Sequence, residues 1–167
     1  MINMRRLQSL KVPSGVEENS LEYYWWRLKN PLNTILNFIV IEIAKFMPSL
    51  TLKRVLLRCL GMRVGRNAAI GLRVQFDIFF PELIELGDNC IIGYGATVLA
   101  HEFLIEEVRT GKVRIGKNVM IGANSTILPG VIIGENATVS ACSLVNKDIP
   151  TGAFVGGVPA RILRKRK

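Results

Sequence analysis

Histidine is nearly absent from this chain: His101 is the one imidazole in 167 residues. A zinc site built on three imidazoles has no ligands here, and any chemistry that needs a base near neutral pH falls to a single residue. Cysteine is scarce as well. Cys59, Cys90 and Cys142 are odd in number with no close pair, which argues against a disulfide framework and fits a reducing, cytoplasmic setting. Long apolar runs are missing too. The most apolar stretch, Pro31 to Met47, is interrupted by Glu42 and Lys45 and ends at Pro48, too short and too charged for a membrane span. The basic start, Met1 to Lys11, leads into Pro13, Ser14 and Gly15 instead of an apolar core, so no cleavable signal peptide is expected.

What the chain does have is a six-residue period from about residue 64 to residue 150. An aliphatic residue followed by Gly recurs at Val64-Gly65, Ile70-Gly71, Leu86-Gly87, Ile92-Gly93, Ile115-Gly116, Ile121-Gly122 and Ile133-Gly134. Phe76, Val98, Ile127, Val139 and Val145 hold the same phase without Gly. Four residues after most of these stands a small or β-branched side chain: Ala68, Val74, Cys90, Ala96, Val119, Ser125, Val131, Ala137 and Ser143. Two inward positions in every six are the pattern of a parallel β-helix, whose repeats bury their apolar faces only by stacking. Gly after the aliphatic position is expected to tolerate the backbone geometry of each corner, where a Cβ would often clash. A β-sandwich is the competing architecture, but its turns do not recur at a fixed interval of six.

The run from Val113 to Val131, VRIGKNVMIGANSTILPGV, resembles the signature of the hexapeptide-repeat acyltransferases, and so does Ile133 to Pro150, IGENATVSACSLVNKDIP. The closing Gly157-Val158-Pro159-Ala160-Arg161 is similar to that family's ending. The likeness spans about residues 60 to 164 and is nearest to the maltose and galactoside O-acetyltransferases. It implies a left-handed parallel β-helix with three hexapeptides per coil, assembled as a homotrimer that binds acetyl-coenzyme A between subunits. The γ-class carbonic anhydrases share such a coil but need three histidines, so no metal is expected.

Three regions follow. Residues 1–60 form a helical N-terminal extension, 61–156 the β-helix with a segment of about 101–112 extruded from it, and 157–167 a cofactor-proximal segment with a basic tail. Pro31 to Met47 reads as a helix with Pro in its first turn, and about Leu52 to Leu60 as a second helix stopped by Gly61. The first is expected to pack on the coil. Peripheral contact with the inner membrane surface is the alternative, supported by the basic chain and by Tyr23, Tyr24, Trp25 and Trp26 just before that helix.

The net charge of +9 needs a partner. Nucleic acid is not favoured, because no recognised motif for it appears and the aromatic residues cluster outside the repeat. Coenzyme A, with its pyrophosphate and ribose phosphate, is the better match. The family resemblance places Gly122, Ala123, Ala141, Asn146, Lys147, Arg161 and Arg164 in cofactor-binding slots. The last three residues, Lys165 to Lys167, read as a solvated tail.

His101 stands where the period fails, since phase is lost after Val98 and resumes at Ile115. Loops leaving a rigid repeat are a common location for catalysis. In the resembling family, a histidine at the start of the extruded loop is the general base. Imidazole, with a reference pKa of about 6.5, suits removal of a hydroxyl proton near neutral pH. Backbone N–H groups around Gly122 and Ala123 are expected to meet the oxyanion. Glu102 is the adjacent carboxylate that could orient the ring, with Glu106, Glu107 and Asp77 as further candidates. Asp77, where the first coil breaks its repeat, is also expected to reach an acceptor hydroxyl. The function expected is O-acetyl transfer from acetyl-coenzyme A to a saccharide or glycan precursor. N-acetylation of an amino sugar and a non-catalytic scaffold are the alternatives.

Overall fold

The computed structural model describes residues 4–11 and 19–165. The Pro13-Ser14-Gly15 break and the final Arg166 and Lys167 lie outside them. Among the described residues four helices come first: α1 (Met4–Ser9), α2 (Ser20–Leu28), α3 (Pro31–Phe46) and α4 (Leu50–Cys59). Local chemistry sets their ends. The Asn30 side chain accepts from Leu32 N–H just ahead of Pro31, the Ser49 hydroxyl accepts from Leu52 N–H, and Gly61 leaves α4 at φ +83°. The residues Tyr23 to Trp26, read as a lead-in to the apolar helix, instead belong to the separate helix α2.

The coil follows, built from very short strands. Its first turn is β1 (Arg63–Val64), β2 (Ala69–Ile70) and β3 (Gln75–Phe76), and its second is β4 (Ile84–Leu86), β5 (Ile91–Ile92) and β6 (Thr97–Val98). A hairpin, β7 (His101–Phe103) and β8 (Val108–Thr110), then interrupts it. The third turn is β9 (Val113–Ile115), β10 (Met120–Ile121) and β11 (Thr126–Ile127), and the fourth is β12 (Ile132–Ile133), β13 (Thr138–Val139) and β14 (Leu144–Val145). The chain ends with β15 (Ala153–Gly156) and β16 (Arg161–Lys165).

Strands one coil apart pair in parallel, giving three sheets: β1-β4-β9-β12, β2-β5-β10-β13-β15 with β16 at its edge, and β3-β6-β11-β14. The register matches the repeat. Leu86 pairs with Val64 and Ile115, and Ile121 pairs with Ile92 and Val139. Because side chains alternate across a strand, one residue of each pair enters the interior and its neighbour leaves it. Ile70, Ile92, Ile121, Val139 and Val155 make one buried column, and Phe76, Val98, Ile127 and Val145 another. Cys90 sits wholly inside, where burial pushes its thiol up to about 11, so it packs as a small apolar group.

The repeat glycines answer to the Cβ clash expected at the corners and not to an unusual backbone angle. Gly65, Gly71, Gly87, Gly93, Gly116, Gly122 and Gly134 are not among the residues with positive φ. What excludes a side chain there is the next coil: a Cβ on Gly122 would lie 2.3 Å from Ala141 N, and one on Gly87 2.6 Å from the Gly116 carbonyl carbon. Left-handed backbone falls instead on Asn67, Asn89, Asn118 and Asn136, at the corner between the first two sheets. Asparagine tolerates that region better than other side chains. Its amide is also used here. Asn89 Nδ2 donates to Asn118 Oδ1 at 2.9 Å, and Asn118 Nδ2 to Asn136 Oδ1 at 3.1 Å, forming a ladder along the edge.

The first coil has no coil before it, and α4 closes that end with cations. Lys53 Nζ donates to the Ile70 and Gly71 carbonyls, Arg54 to the Ala68 carbonyl, and Arg58 to the Val64 carbonyl. These carbonyls have no next coil to pair with on that side, so the basic residues replace the missing ladder. Lys53 is buried by this placement, and burial lowers its pKa. At the other end β16 returns antiparallel on β15, so Lys165 belongs to a strand and not to a solvated tail.

Replacing Asn118 with Ala places a methyl side chain in left-handed backbone and removes both amide bonds. The expected loss is about 1–2 kcal/mol in a urea titration. An unchanged unfolding midpoint would show that the ladder adds nothing.

Candidate active site

The three edges of the coil are not equivalent. Two turn tightly at every level, whereas the edge leading from the β3-β6-β11-β14 sheet back to the first sheet carries insertions. In the first coil it holds Asp77 to Phe80 and a 3-10 turn, Pro81–Leu83. In the second it holds the β7–β8 hairpin. This hairpin is the segment expected to be extruded, and it forms a two-stranded antiparallel ribbon with His101 opposite Thr110.

Stacking these corners brings Asp77 to His101. Nδ1 of His101 lies 2.5 Å from Asp77 Oδ2. The Asp77 side chain has no solvent exposure, and its remaining bonds hold it rigidly. Oδ1 accepts from Phe79 N–H and Phe80 N–H at 2.9 Å each, while Oδ2 also accepts from Ala100 N–H at 2.7 Å. Burial raises the carboxyl pKa, but the His101 contact and the backbone N–H groups of Phe80 and Ala100 outweigh it and hold it below the usual range. An ionised carboxylate only accepts, so Nδ1 carries a proton, and in the neutral ring this places the lone pair on Nε2.

This geometry revises two expectations. Asp77 faces inward and is fully engaged, so its carboxylate is not exposed to an acceptor hydroxyl; it holds the imidazole. Glu102 alternates to the other side of β7 and forms an ion pair with Arg6 of α1, whose Nε also donates to the Pro129 carbonyl at 2.7 Å. Glu107 is taken up by Arg109. Adjacent residues on a strand point apart, which is why the carboxylate nearest in sequence is not the ring's partner.

Sequence reading passed over the rings around the imidazole. Phe79 and Phe103 each stand edge-on to His101 with centroids 4.9 Å away, Phe80 stands at 6.2 Å, and Trp25 of α2 packs on Phe79. The signal was present, because Phe79 and Phe80 occupy the stretch where the repeat slips. Ser20 at the start of α2 donates to the carbonyls of Leu104 and Ile105, and Lys11 exchanges backbone bonds with Thr110, so the N-terminal segments clamp the hairpin.

The expected donor-side residues fall on other edges. Gly122, Ala123 and Ala141 run along the corner between the second and third sheets, where Cys142 N–H donates to the Ala123 carbonyl at 2.8 Å. Gly122 N–H is spent on the Val139 carbonyl, which removes it as an oxyanion donor and leaves Ala123 of that pair. Asn146 and Lys147 lie on the same edge as His101 but beyond the third coil. Arg164 borders a cleft of about 210 Å³ with Asn136, Thr138 and Phe154, and Arg161 is exposed at the start of β16. Within one chain, the Ala123 edge and the His101 edge are separated by the width of a sheet, about five residues or roughly 15 Å.

Two family descriptions match the coil: "Bacterial transferase hexapeptide (six repeats)" over residues 112–147 and "Hexapeptide repeat of succinyl-transferase" over residues 61–100. The "Putative acetyltransferase YvoF" of Bacillus subtilis is 57% identical over 133 residues, 79% of this chain and 77% of that protein. The galactoside O-acetyltransferase of Escherichia coli is 38% identical over 114 residues, 63% of this chain and 54% of that one. Among solved structures, a galactoside acetyltransferase in complex with coenzyme A superposes with TM-score 0.65 at 24% identity, covering 99% of this chain and 91% of that chain. A hexapeptide-repeat acetyltransferase of Vibrio cholerae complexed with acetyl-coenzyme A gives 0.64 at 23% identity, covering 89% and 92%. These structures share the fold. The chain belongs to the hexapeptide-repeat acetyltransferase family.

The depressed Asp77 carboxyl predicts how stability depends on pH. Its folded pKa lies below the unfolded value of about 3.9, so its contribution is complete above that value and is lost as pH falls through the folded one. Asp77→Asn should therefore be less stable than wild type above about pH 4, with the gap narrowing in stronger acid. Parallel urea midpoints across that range would refute the pairing.

Proposed function

We propose that the protein is a homotrimeric, left-handed β-helical O-acetyltransferase that moves acetyl from acetyl-coenzyme A to a hydroxyl of a saccharide or glycan precursor, with His101 as general base. The observation that carries this reading is the buried Asp77 carboxylate fixing Nδ1 of the one histidine, at the corner where the hairpin leaves the coil. His101 Nε2 takes the acceptor hydroxyl proton as that oxygen adds to the thioester carbonyl. It then returns the proton to the departing thiolate, so no covalent protein intermediate is needed. Asp77 stabilises the imidazolium formed between these steps.

Ala123 N–H is the candidate oxyanion donor. Ala141, Asn146, Lys147, Arg161 and Arg164 are the proposed donor-side contacts, the two arginines facing phosphates. The separation of the Ala123 and His101 edges within one chain supports a site completed by a neighbouring subunit, since a second copy can bring one edge beside the other. Acetyl-coenzyme A supplies the activated acetyl group, and the complexes of similar folds with acetyl-coenzyme A and with coenzyme A support that assignment. A cytoplasmic location accords with that donor and with three free cysteines.

His101→Ala should lower turnover by about a hundred- to ten-thousand-fold, with oligomer mass and melting temperature nearly unchanged. Thiol release measured against a panel of sugar acceptors reads this directly. Turnover equal to wild type in a folded variant rules His101 out as the base.

The shared site has its own test. Arg161→Ala/Arg164→Ala should raise the Michaelis constant for acetyl-coenzyme A far more than that for the acceptor. Co-expressed with His101→Ala and assayed at acetyl-coenzyme A well below the raised Michaelis constant, it should show more activity than either variant alone, because some mixed trimers assemble an intact site. No recovery in mixed trimers of confirmed composition would confine each site to one chain.

A further inference from the structure

The side of α3 that faces away from the coil is as apolar as the side that faces it. At 100° per residue, Thr34, Asn37, Ile41 and Ala44 form the buried stripe. Leu32, Ile35, Leu36, Ile39, Ile43 and Phe46 fall within about 100° of one another on the opposite side. They are exposed, from 47% at Ile39 to 74% at Leu32. The α4 side chains Leu50, Leu52 and Val55, each more than 40% exposed, add to this surface. A helix packed on a coil normally turns polar residues outward, and an apolar surface of this extent on a protein marks something that covers it. The coil's own core is complete without it.

Charge identifies the covering. Residues 20–59 carry six basic side chains against two acidic ones. On α4, Arg54 and Arg58 line a cleft of about 430 Å³ together with Arg66, Lys117, Asn89 and Asp88. Four cations and one carboxylate line it; Arg54 and Arg58 also reach first-coil carbonyls and Arg66 pairs with Asp88, and the surplus of positive charge left at the wall, with Lys117, suits phosphate oxygens. Two copies meeting face to face through this surface would bring like charges together, whereas an anionic bilayer offers apolar depth to the helices and phosphates to the cleft. No helix among the described residues is long and apolar enough to cross a membrane, so contact is in the plane of the interface.

We propose that α3 and α4 dock the protein on the surface of an anionic phospholipid bilayer, with the outward stripe of α3 in the interface and the Arg58–Arg66–Lys117 cleft on lipid phosphates. This surface does not include His101, and the proposal stands apart from the acetyl-transfer reading.

Co-sedimentation with vesicles of phosphatidylcholine alone, and of phosphatidylcholine with phosphatidylglycerol, tests it. Wild type should bind the anionic vesicles at least about tenfold more tightly, with affinity falling as salt is raised. Ile35→Glu/Ile39→Glu should lose at least about tenfold of that binding, and Leu32→Glu/Phe46→Glu, at the two most exposed positions, should do the same. Arg66→Gln/Lys117→Gln should remove much of the salt-sensitive part. All three variants should keep the wild-type melting temperature and oligomer mass. Three results would each overturn the proposal: wild type left in the supernatant with anionic vesicles at low salt, equal binding to both vesicle types, or folded stripe variants that bind as wild type does. Stripe variants that change oligomer mass while leaving vesicle binding intact would assign the face to a second copy and refute the bilayer.

Discussion

Everything in this molecule depends on how closely one coil lies on the next. Parallel strands stack at hydrogen-bonding distance, and at the corners the backbones come nearer than a Cβ allows, as at Gly122 over Ala141. That approach aligns equivalent residues of successive repeats in columns, and the columns are the core. It also makes the corners repeat, so asparagines of the same phase meet and bond along one edge. A corner that does not turn tightly becomes an exception visible at every level above and below.

The edge that carries the candidate active site is where that exception occurs. Asp77 and His101 are 24 residues apart, yet they occupy successive corners of the same edge, so the stacking that forms the core also forms the pair. The inserted residues at each corner supply the rest: Phe79 and Phe80 from the first, the hairpin with Phe103 from the second. The N-terminal helices then secure the hairpin, through Arg6 on Glu102 and Ser20 on the tip. A rigid repeat with an irregular edge gives precision without a large globular core.

A coil has two ends, and each end is a row of unpaired backbone. Here the first end is closed by Lys53, Arg54 and Arg58 reaching from α4 to carbonyls. Part of the basic excess is therefore structural, and not all of it is available to a ligand. The same helices that close the end turn Leu32, Ile35, Ile39 and Ile43 outward, an arrangement that closing the coil does not require.

By itself the sequence determined the repeat, the number of inward positions and the place where the coil opens, because each is a matter of phase along one chain. It also singled out His101, since only one imidazole exists to be chosen. The chain order could not decide which carboxylate meets that imidazole: Glu102 is adjacent but points to the other side of its strand, and Asp77 is brought in by a neighbouring coil. Nor could it show that Gly122 N–H is consumed by Val139, that the repeat glycines are needed for space rather than for φ, or that α3 has two apolar sides of which the coil covers one. Each of these is a relation between coils or between a helix and the coil, set by stacking distance and side-chain direction, and it exists only once the coils lie on one another.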